Sequence, residues 1–495
     1  MVIQGNLTVV LVAVAFAACS RSGKPVERVA FLPFENLTGD ASLDWISAAG
    51  PQIVTDQLLG ISGPAVPVRV AALRDAYAAG ATQLVQGYFE KRRDAVHFEF
   101  VIEDAQTHKT LQALAGDGDA LPALDRLARQ IDPGAHAFSS ASTQAVAAWG
   151  RGEYESAVSL DQDFGAAWLS WAQARAAAGD PQQAFEIVTR ALRQPSLRST
   201  VDRAQLELMS ANLRRDEPAQ HAALVALARF MPHDAALLRQ LATREMNARR
   251  FSNAVQFYQA ALREDPDDNE TWNLLGYAQA FAGDVESARK SLERYGRDSA
   301  HTANALDSSG EVMFLHGRFA EAEKYFLDAH AKNSAMLGGG DLLKAAYAKW
   351  LQGDLAGADR QISQYLAFRT QQKDPLIAWR QAVWEYATGR QAAAEARLSN
   401  VAGPAADLAR SQLALWKDPS QLPHDAAVLK PLYERASPTQ DGITRVLYAA
   451  ALAQAGQKDE ARKLIELWPL PGAEGDPLLQ SFLFPKYLGL KQELK

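Results

Sequence analysis

The sequence predicts a mainly α-helical chain, a solenoid of stacked helical hairpins preceded by a small α/β domain. Three observations lead there. Residue types recur every 34 positions in mid-chain: Ala242, Gly276 and Gly310; Ala254, Ala288 and Ala322; Tyr258, Leu292 and Phe326. Strand-like alternation and turn residues are confined to residues 27–133, and Ala-, Leu- and Gln-rich helical segments take over from about 141. Finally, 495 residues with 48% apolar and 22% charged side chains fold, but exceed what one core usually organises.

The charge and cysteine content remove several function classes. Lys plus Arg total 51 against 58 for Asp plus Glu, so a net charge of −7 offers no overall footprint for nucleic acid. Cys19 is the sole cysteine, which excludes an intramolecular disulfide and any multi-cysteine metal or iron–sulfur site.

At the amino end, Leu7 to Ala18 is an apolar run of twelve residues. As a helix it reaches about 18 Å, short of a bilayer core of about 30 Å. It fits the apolar region of a secretory signal peptide over residues 1–18, with a linker at 19–26. A buried helix, or an uncleaved anchor with Arg21, Lys24 and Arg28 on the inner side, is the other reading. The run Phe16-Ala17-Ala18-Cys19-Ser20 resembles the bacterial lipobox. That resemblance implies cleavage before Cys19, lipidation of its thiol and, with Ser20 in place of Asp, sorting to the outer membrane facing the periplasm.

Residues 27–133 alternate strands and helices. Strands are expected at Arg28–Phe34, Val66–Val70, Gln83–Glu90, Val96–Ile102 and Thr110–Ala115. Helices are expected at Ser42–Leu59 with Ser42 as N-cap, at Ala71–Ala79 and at Leu121–Ile131. Together these make a mixed sheet with helices packed on it. The string VAFLPFENLTGDASLDWISAAGPQIVTDQL, with LVQGYFEKRRDAVHFEFVIEDAQTHKTL from Leu84, resembles the TolB-like amino-terminal domain, which often precedes tetratricopeptide repeats. The resemblance implies a non-catalytic interaction domain. Glu35, Asn36 and Asp40 read as a satisfied turn, because a calcium loop needs a denser set of oxygen ligands. His97 reads as a surface-facing strand residue.

From 141 to 475 the periodicity gives about eight hairpins, with regular blocks at 235–268, 269–302 and 303–336. A truncated half-repeat is expected around Trp149–Asp161, irregular packing between 404 and 440, and a capping segment at 476–495. Small residues at positions 8 and 20 of each block let two helices approach, while larger ones at 4, 7 and 24 fill the space between hairpins. Trp272, Leu275 and Gly276, with turns at Gly283-Asp284 and Gly317-Arg318, resemble the tetratricopeptide repeat (TPR). That family's first helices line a groove for a protein or peptide partner. Carried over residue by residue, its groove positions fall on Arg239, Thr243, Asn273, Tyr277, Phe281, Asp307, Glu311 and Tyr347. Trp272 reads as core, and Gly338-Gly339-Gly340-Asp341 as a flexible joint between repeats where the phase slips by two.

No phosphate loop, dinucleotide fingerprint, serine elbow or zinc-protease motif occurs in the sequence, so no catalytic residue, metal ligand, cofactor or small-molecule substrate is assigned. The expected protein is a non-enzymatic envelope lipoprotein that scaffolds a protein assembly and meets the membrane through its lipid. The other reading is a cytosolic or inner-membrane signalling adaptor of the TolB-like plus repeat type.

Overall fold

The computed structural model describes residues 27–59, 65–93, 95–197, 199–471 and 477–495. The signal segment and Cys19 lie outside the described residues. The chain divides into two compact units, one up to Leu206 and one from Glu207.

The first unit opens with a mixed sheet. Its strands are β1 (Glu27–Phe31), β2 (Glu35–Asn36), β3 (Ala65–Arg69), β4 (Gln83–Arg92), β5 (Ala95–Asp104) and β6 (Thr110–Gly118), in the order β3-β1-β4-β5-β6 with β2 beside β4. The β1, β2 and β3 pairings are parallel, whereas β4, β5 and β6 form an antiparallel meander. Helices α1 (Trp45–Leu58) and α3 (Ala120–Ile131) cover one face. Phe31, Phe34, Phe89, Phe98 and Phe100 are buried in this domain's core, with the Phe34 and Phe100 rings edge to face at 4.5 Å. Short α2 (Leu73–Ala78) shields only the corner around Ala30 and Leu84.

The expected N-cap is corrected. Asp40 accepts the Ser42 amide, residues Ala41–Leu43 form a 3-10 turn, and α1 starts at Trp45 after Asp44. Asn36 meanwhile ties the loop together, receiving the Thr38 amide and hydroxyl and donating to Asp44 at 2.6 Å.

Helical hairpins then begin. The expected half-repeat is a complete short hairpin, α4 (Thr143–Gly150) with α5 (Tyr154–Leu160). It packs on α1, where a Cβ at Gly150 would stand 3.0 Å from the Trp45 Cβ. Next come α6 (Gly165–Ala177), α7 (Pro181–Leu192) and α8 (Thr200–Arg214), the helix in which the division between units falls.

The second unit continues with α9 (Glu217–Phe230), α10 (Ala235–Asn247), α11 (Phe251–Glu264), α12 (Asn269–Phe281), α13 (Val285–Tyr295), α14 (Thr302–Leu315) and α15 (Phe319–Lys332). It proceeds through α16 (Gly340–Leu351), α17 (Leu355–Gln371), α18 (Ile377–Ala387), α19 (Gln391–Ser399), α20 (Ala406–Lys417) and α21 (Ala426–Arg435). It ends with α22 (Gly442–Gln454), α23 (Lys458–Leu464) and α24 (Leu483–Glu493). The starts of α10 and α12 reproduce the 34-residue period, and each is capped by an aspartate, Asp234 or Asp268, that accepts the amide three residues on. Within a hairpin the small residue at position 8 faces the large one at position 24. A Cβ on Gly276 would stand 2.7 Å from Leu292, and one on Gly310 would stand 2.6 Å from Phe326. This packing, repeated from α10 to α19, is the TPR α-solenoid that the periodicity predicts.

Three expectations are corrected here. Trp272 is half-buried, packed on the core around Tyr258 and Leu275, with its indole N–H donated to the Pro266 carbonyl at 2.9 Å. The joint at Gly338-Gly339 is packed against Arg369 and Phe368, and Arg369 donates to the Gly338 carbonyl at 3.2 Å. The end of the chain does not cap the array: it packs on the first helices of several hairpins.

Candidate functional site

The first helices of successive hairpins, α10, α12, α14, α16, α18 and α22, form the inner face of the second unit. The groove positions taken from the sequence fall on it in two stretches. In the first, Arg239 pairs with Glu270 at 2.7 Å and exposed Thr243 shares a hydrogen bond with the Tyr258 hydroxyl at 3.1 Å. Phe281 is half-buried and stacks on Phe251 at 5.1 Å between centroids. Asn273, also half-buried, keeps its Oδ1 out of water without a hydrogen-bond partner.

Tyr277 links this stretch to a polar cluster. Its hydroxyl donates to Glu311 Oε2 at 2.6 Å, across 34 residues, so equivalent positions of adjacent repeats bond to each other. Lys344 Nζ then bridges Glu311 at 2.7 Å and both oxygens of Asp307 at 2.7 and 2.8 Å. Burial alone would lower the Lys344 pKa, but Glu311 and Asp307 raise it, so the ammonium stays charged. Asp341, fully buried beside this group, is pushed up to about 8 by burial and by the Asp307 charge and is protonated at neutral pH. Asp307, expected as an open groove residue, is therefore buried inside an ion cluster, and Glu311 faces the same cation. Lys344 escaped sequence reasoning because the phase slip at Gly338-Gly340 moves it off the repeat positions, and Asp341 was read only as the end of a flexible joint.

The second stretch is occupied by the chain itself. Tyr347 is buried, with its ring 4.8 Å from Phe484 and 5.3 Å from Trp384. Phe484 also meets Phe314 at 5.9 Å and Trp350 at 6.1 Å, while α24 packs on α18 and α22. Phe484 and Tyr487 are among the most buried large side chains, which accounts for the loss of Tyr347 as an open contact.

Polar side chains hold this segment by its backbone. Arg445 donates to the carbonyls of Leu464, Leu467 and Trp468 at 3.1, 2.7 and 3.2 Å, and its charge is balanced by Asp441 at 3.0 Å. Gln412 donates to the Leu478 carbonyl at 2.8 Å while receiving the Trp379 indole, and Trp416 donates to Ser481 Oγ at 2.8 Å. The Trp468 amide donates to the Leu315 carbonyl at 2.9 Å. Asp441 also binds Arg249 at 2.8 Å, whose guanidinium reaches the Tyr433 carbonyl at 2.9 Å and lies 3.9 Å above the Tyr433 ring. Arg249 sits at φ +59° in a turn where the next hairpin has Gly283 at φ +90°. A left-handed arginine costs about 1 kcal/mol locally, so its side-chain contacts are what favour it there. Sequence periodicity gave no signal for Arg445, Gln412 or Trp416, which lie outside the regular blocks.

A second surface lies on the sheet of the first unit. On the face whose corner α2 shields, beyond that corner, lies a shallow cavity of about 680 Å³ lined by residues that include Glu35, Gln86, Tyr88, Glu99, Val101 and Glu103. His97 is corrected from surface-facing to buried: its ring sits between Glu99 on its own strand and Asp117 directly opposite on β6.

Among the described residues, no group of three or more His, Cys, Asp or Glu side chains is arranged to hold a metal, and no helix is long and apolar enough to cross a membrane.

No family model matches the chain, and no curated protein matches it in sequence. Solved structures are similar to it in fold. The apo form of the quorum sensor NprR from B. thuringiensis is 16% identical, covers 70% of this chain and 94% of its own, and has a TM-score of 0.38. YrrB, described as a TPR protein with an unusual peptide-binding site, is 14% identical, covering 37% and 94%, with a TM-score of 0.33. PilW, a type IV pilus biogenesis factor, is 15% identical, covering 41% and 92%, with a TM-score of 0.32.

Proposed function

We propose that this chain is a non-enzymatic scaffold of the bacterial cell envelope, lipid-anchored through Cys19 on the periplasmic side of the outer membrane. In this reading a TolB-like α/β domain and the repeat array each contact protein partners. The reading of the array rests on one observation: its helices hold the end of the chain through side chains that bind backbone carbonyls, as Arg445 does at Leu467 and Gln412 at Leu478. A surface that grips main chain and buries aromatic anchors is suited to peptides and partner helices. The half-buried stretch of Asn273, Tyr277 and Phe281 is the partner contact in this account. The anchor rests on the lipobox-like Ala17-Ala18-Cys19-Ser20, and stable attachment takes more than one acyl chain.

The two parts are tested separately. Mass spectrometry of the mature amino-terminal peptide is expected to find acyl groups on Cys19, with Cys19→Ser releasing the protein from membranes. An unmodified thiol behind an intact Met1 contradicts the anchor. Affinity capture from crosslinked envelopes is expected to recover a protein partner that Phe281→Ala loses while the melting temperature stays within a few degrees. Capture unchanged by Phe281→Ala contradicts the assignment of this stretch.

A further inference from the structure

The residues that fill the second stretch of the inner face lie on a short amphipathic helix. Along α24, Leu483, Phe484, Tyr487 and Leu490 are buried, followed by Leu494; Phe484 lies on the first helices, and Tyr487 lies on Trp468 with its hydroxyl on the Ile465 carbonyl. Pro485, Gly489, Gln492 and Glu493 are exposed. This is the pattern of a helix laid in a groove, with anchors three and four residues apart. Most of the polar contacts run from the array to the segment. The array supplies the side chains Gln412, Trp416 and Arg462 to the backbone carbonyls of Leu478 and Leu494 and the hydroxyl of Ser481, while the segment returns the Tyr487 hydroxyl to the Ile465 carbonyl at 2.9 Å.

The helix is also weaker than its seat allows. Gly489 stands in the interior of α24, and a Cβ built there meets nothing within 4 Å. Packing does not require glycine at that position, and its φ is not in the left-handed region. A mid-helix glycine in place of alanine lowers helix stability about fivefold. The helix is thus ordered by the groove more than by its own sequence.

We propose that residues 477–494 are a built-in ligand of the inner face, occupying in cis the seat of a partner helix of the same chemistry: two aromatic side chains three residues apart, followed by leucines. The inference rests on the reading of the inner face as an interaction surface, and adds that its second stretch is kept covered until such a helix displaces α24. Tethering sets the competition. A segment held in cis acts at an effective concentration in the millimolar range, so a free helix succeeds only when it binds tightly or when the cis helix is weak.

Two full-length variants move that balance in opposite directions. A fluorescent peptide of sequence 477–495 serves as the probe, followed by anisotropy on the intact protein. Tyr487→Ala weakens the cis helix and is expected to raise the peptide's affinity at least tenfold over wild type. Gly489→Ala strengthens the cis helix without a clash and is expected to lower that affinity about fivefold. The proposal is overturned if folded Tyr487→Ala binds the peptide no better than wild type, or if Gly489→Ala leaves peptide binding unchanged. Should Tyr487→Ala fail to fold, the Gly489→Ala arm decides alone. Peptide exchange that follows these predictions with no partner captured from envelopes would leave the groove a helix receptor and remove the scaffold reading. The reverse result would retain the scaffold and make α24 a fixed part of the core.

Discussion

The two stretches of the inner face are both built from first helices of hairpins, α10 and α12 in one and α14, α16 and α18 in the other, and differ in what lies over them. Around Arg239, Thr243, Tyr277 and Phe281 the side chains are exposed or half-buried, and Arg239 spends its charge on the surface residue Glu270. Around Phe314, Tyr347, Trp350 and Trp384 the aromatic rings meet Phe484 or one another, and the nearby cation Arg445 is buried against Asp441 and three carbonyls. The same repeat geometry therefore yields an accessible surface in one place and a core in another. Which it becomes is decided by a segment from the end of the chain, 137 residues from Tyr347 to Phe484, not by the hairpins themselves.

The contrast is sharpest in the energetics of its arginines. Arg445→Ala would remove one of the two cations on the buried Asp441 carboxylate, leaving Arg249 alone, and would leave three carbonyls without their donor, so urea unfolding is expected to show a loss of about 3–5 kcal/mol. The corresponding loss for Arg239→Ala belongs at the other end of the scale. If Arg445→Ala costs less than about 1 kcal/mol, the closed stretch is not closed in solution.

The polar cluster between the stretches makes a prediction about pH. Asp341 holds its proton up to about pH 8 when folded, against an ordinary carboxyl value of 3.8 when unfolded. At a pH between those values the unfolded chain has released a proton that the folded chain keeps, so folding carries a penalty. The penalty is absent below about pH 4, grows as pH rises and levels off above about pH 8. Asp341→Asn, which cannot ionise, is expected to stabilise the second unit at pH 8 by about 2–4 kcal/mol and to change little at pH 4. Thermal melts of both proteins at the two values check it, and equal melting shifts at both would contradict it.

Smaller effects follow from the hairpins. Gly276→Ala places a Cβ 2.7 Å from Leu292 and is expected to cost about 1–3 kcal/mol, measured by chemical denaturation. The bulkier Gly276→Trp exceeds that. Arg239→Ala, by contrast, removes an exposed ion pair with Glu270 and is expected to shift stability by about 0.5 kcal/mol or less.

Local rules made the hairpins legible. A small residue at position 8 must meet a large one at position 24, and the 34-residue spacing of Gly276 and Gly310 declares that contact before any coordinates. The same spacing placed Tyr277 and Glu311 on one face, where they bond directly. The sheet was legible too, because period-two alternation marks β4 and β5. What stayed hidden depends on partners distant in sequence. His97 is buried because Asp117 lies opposite it across a strand pair, and Tyr347 because Phe484 folds back over it. Lys344 was lost for a different reason: the left-handed run Leu337-Gly338-Gly339 resets the repeat phase just before it.

Hydrogen exchange on the full-length protein tests the account most directly. The central claim is that the end of the chain lies on the inner face, with the Trp468 amide bonded to the Leu315 carbonyl and α24 seated on α18 and α22. The account predicts that the Trp468 amide and those in the second half of α24 exchange at least a hundredfold more slowly than an unstructured peptide of the same sequence. Tyr487→Ala should speed exchange in α24 and leave α10 and α12 unaffected. Exchange of the 483–493 amides at the rate of a free peptide in the wild-type protein would contradict it.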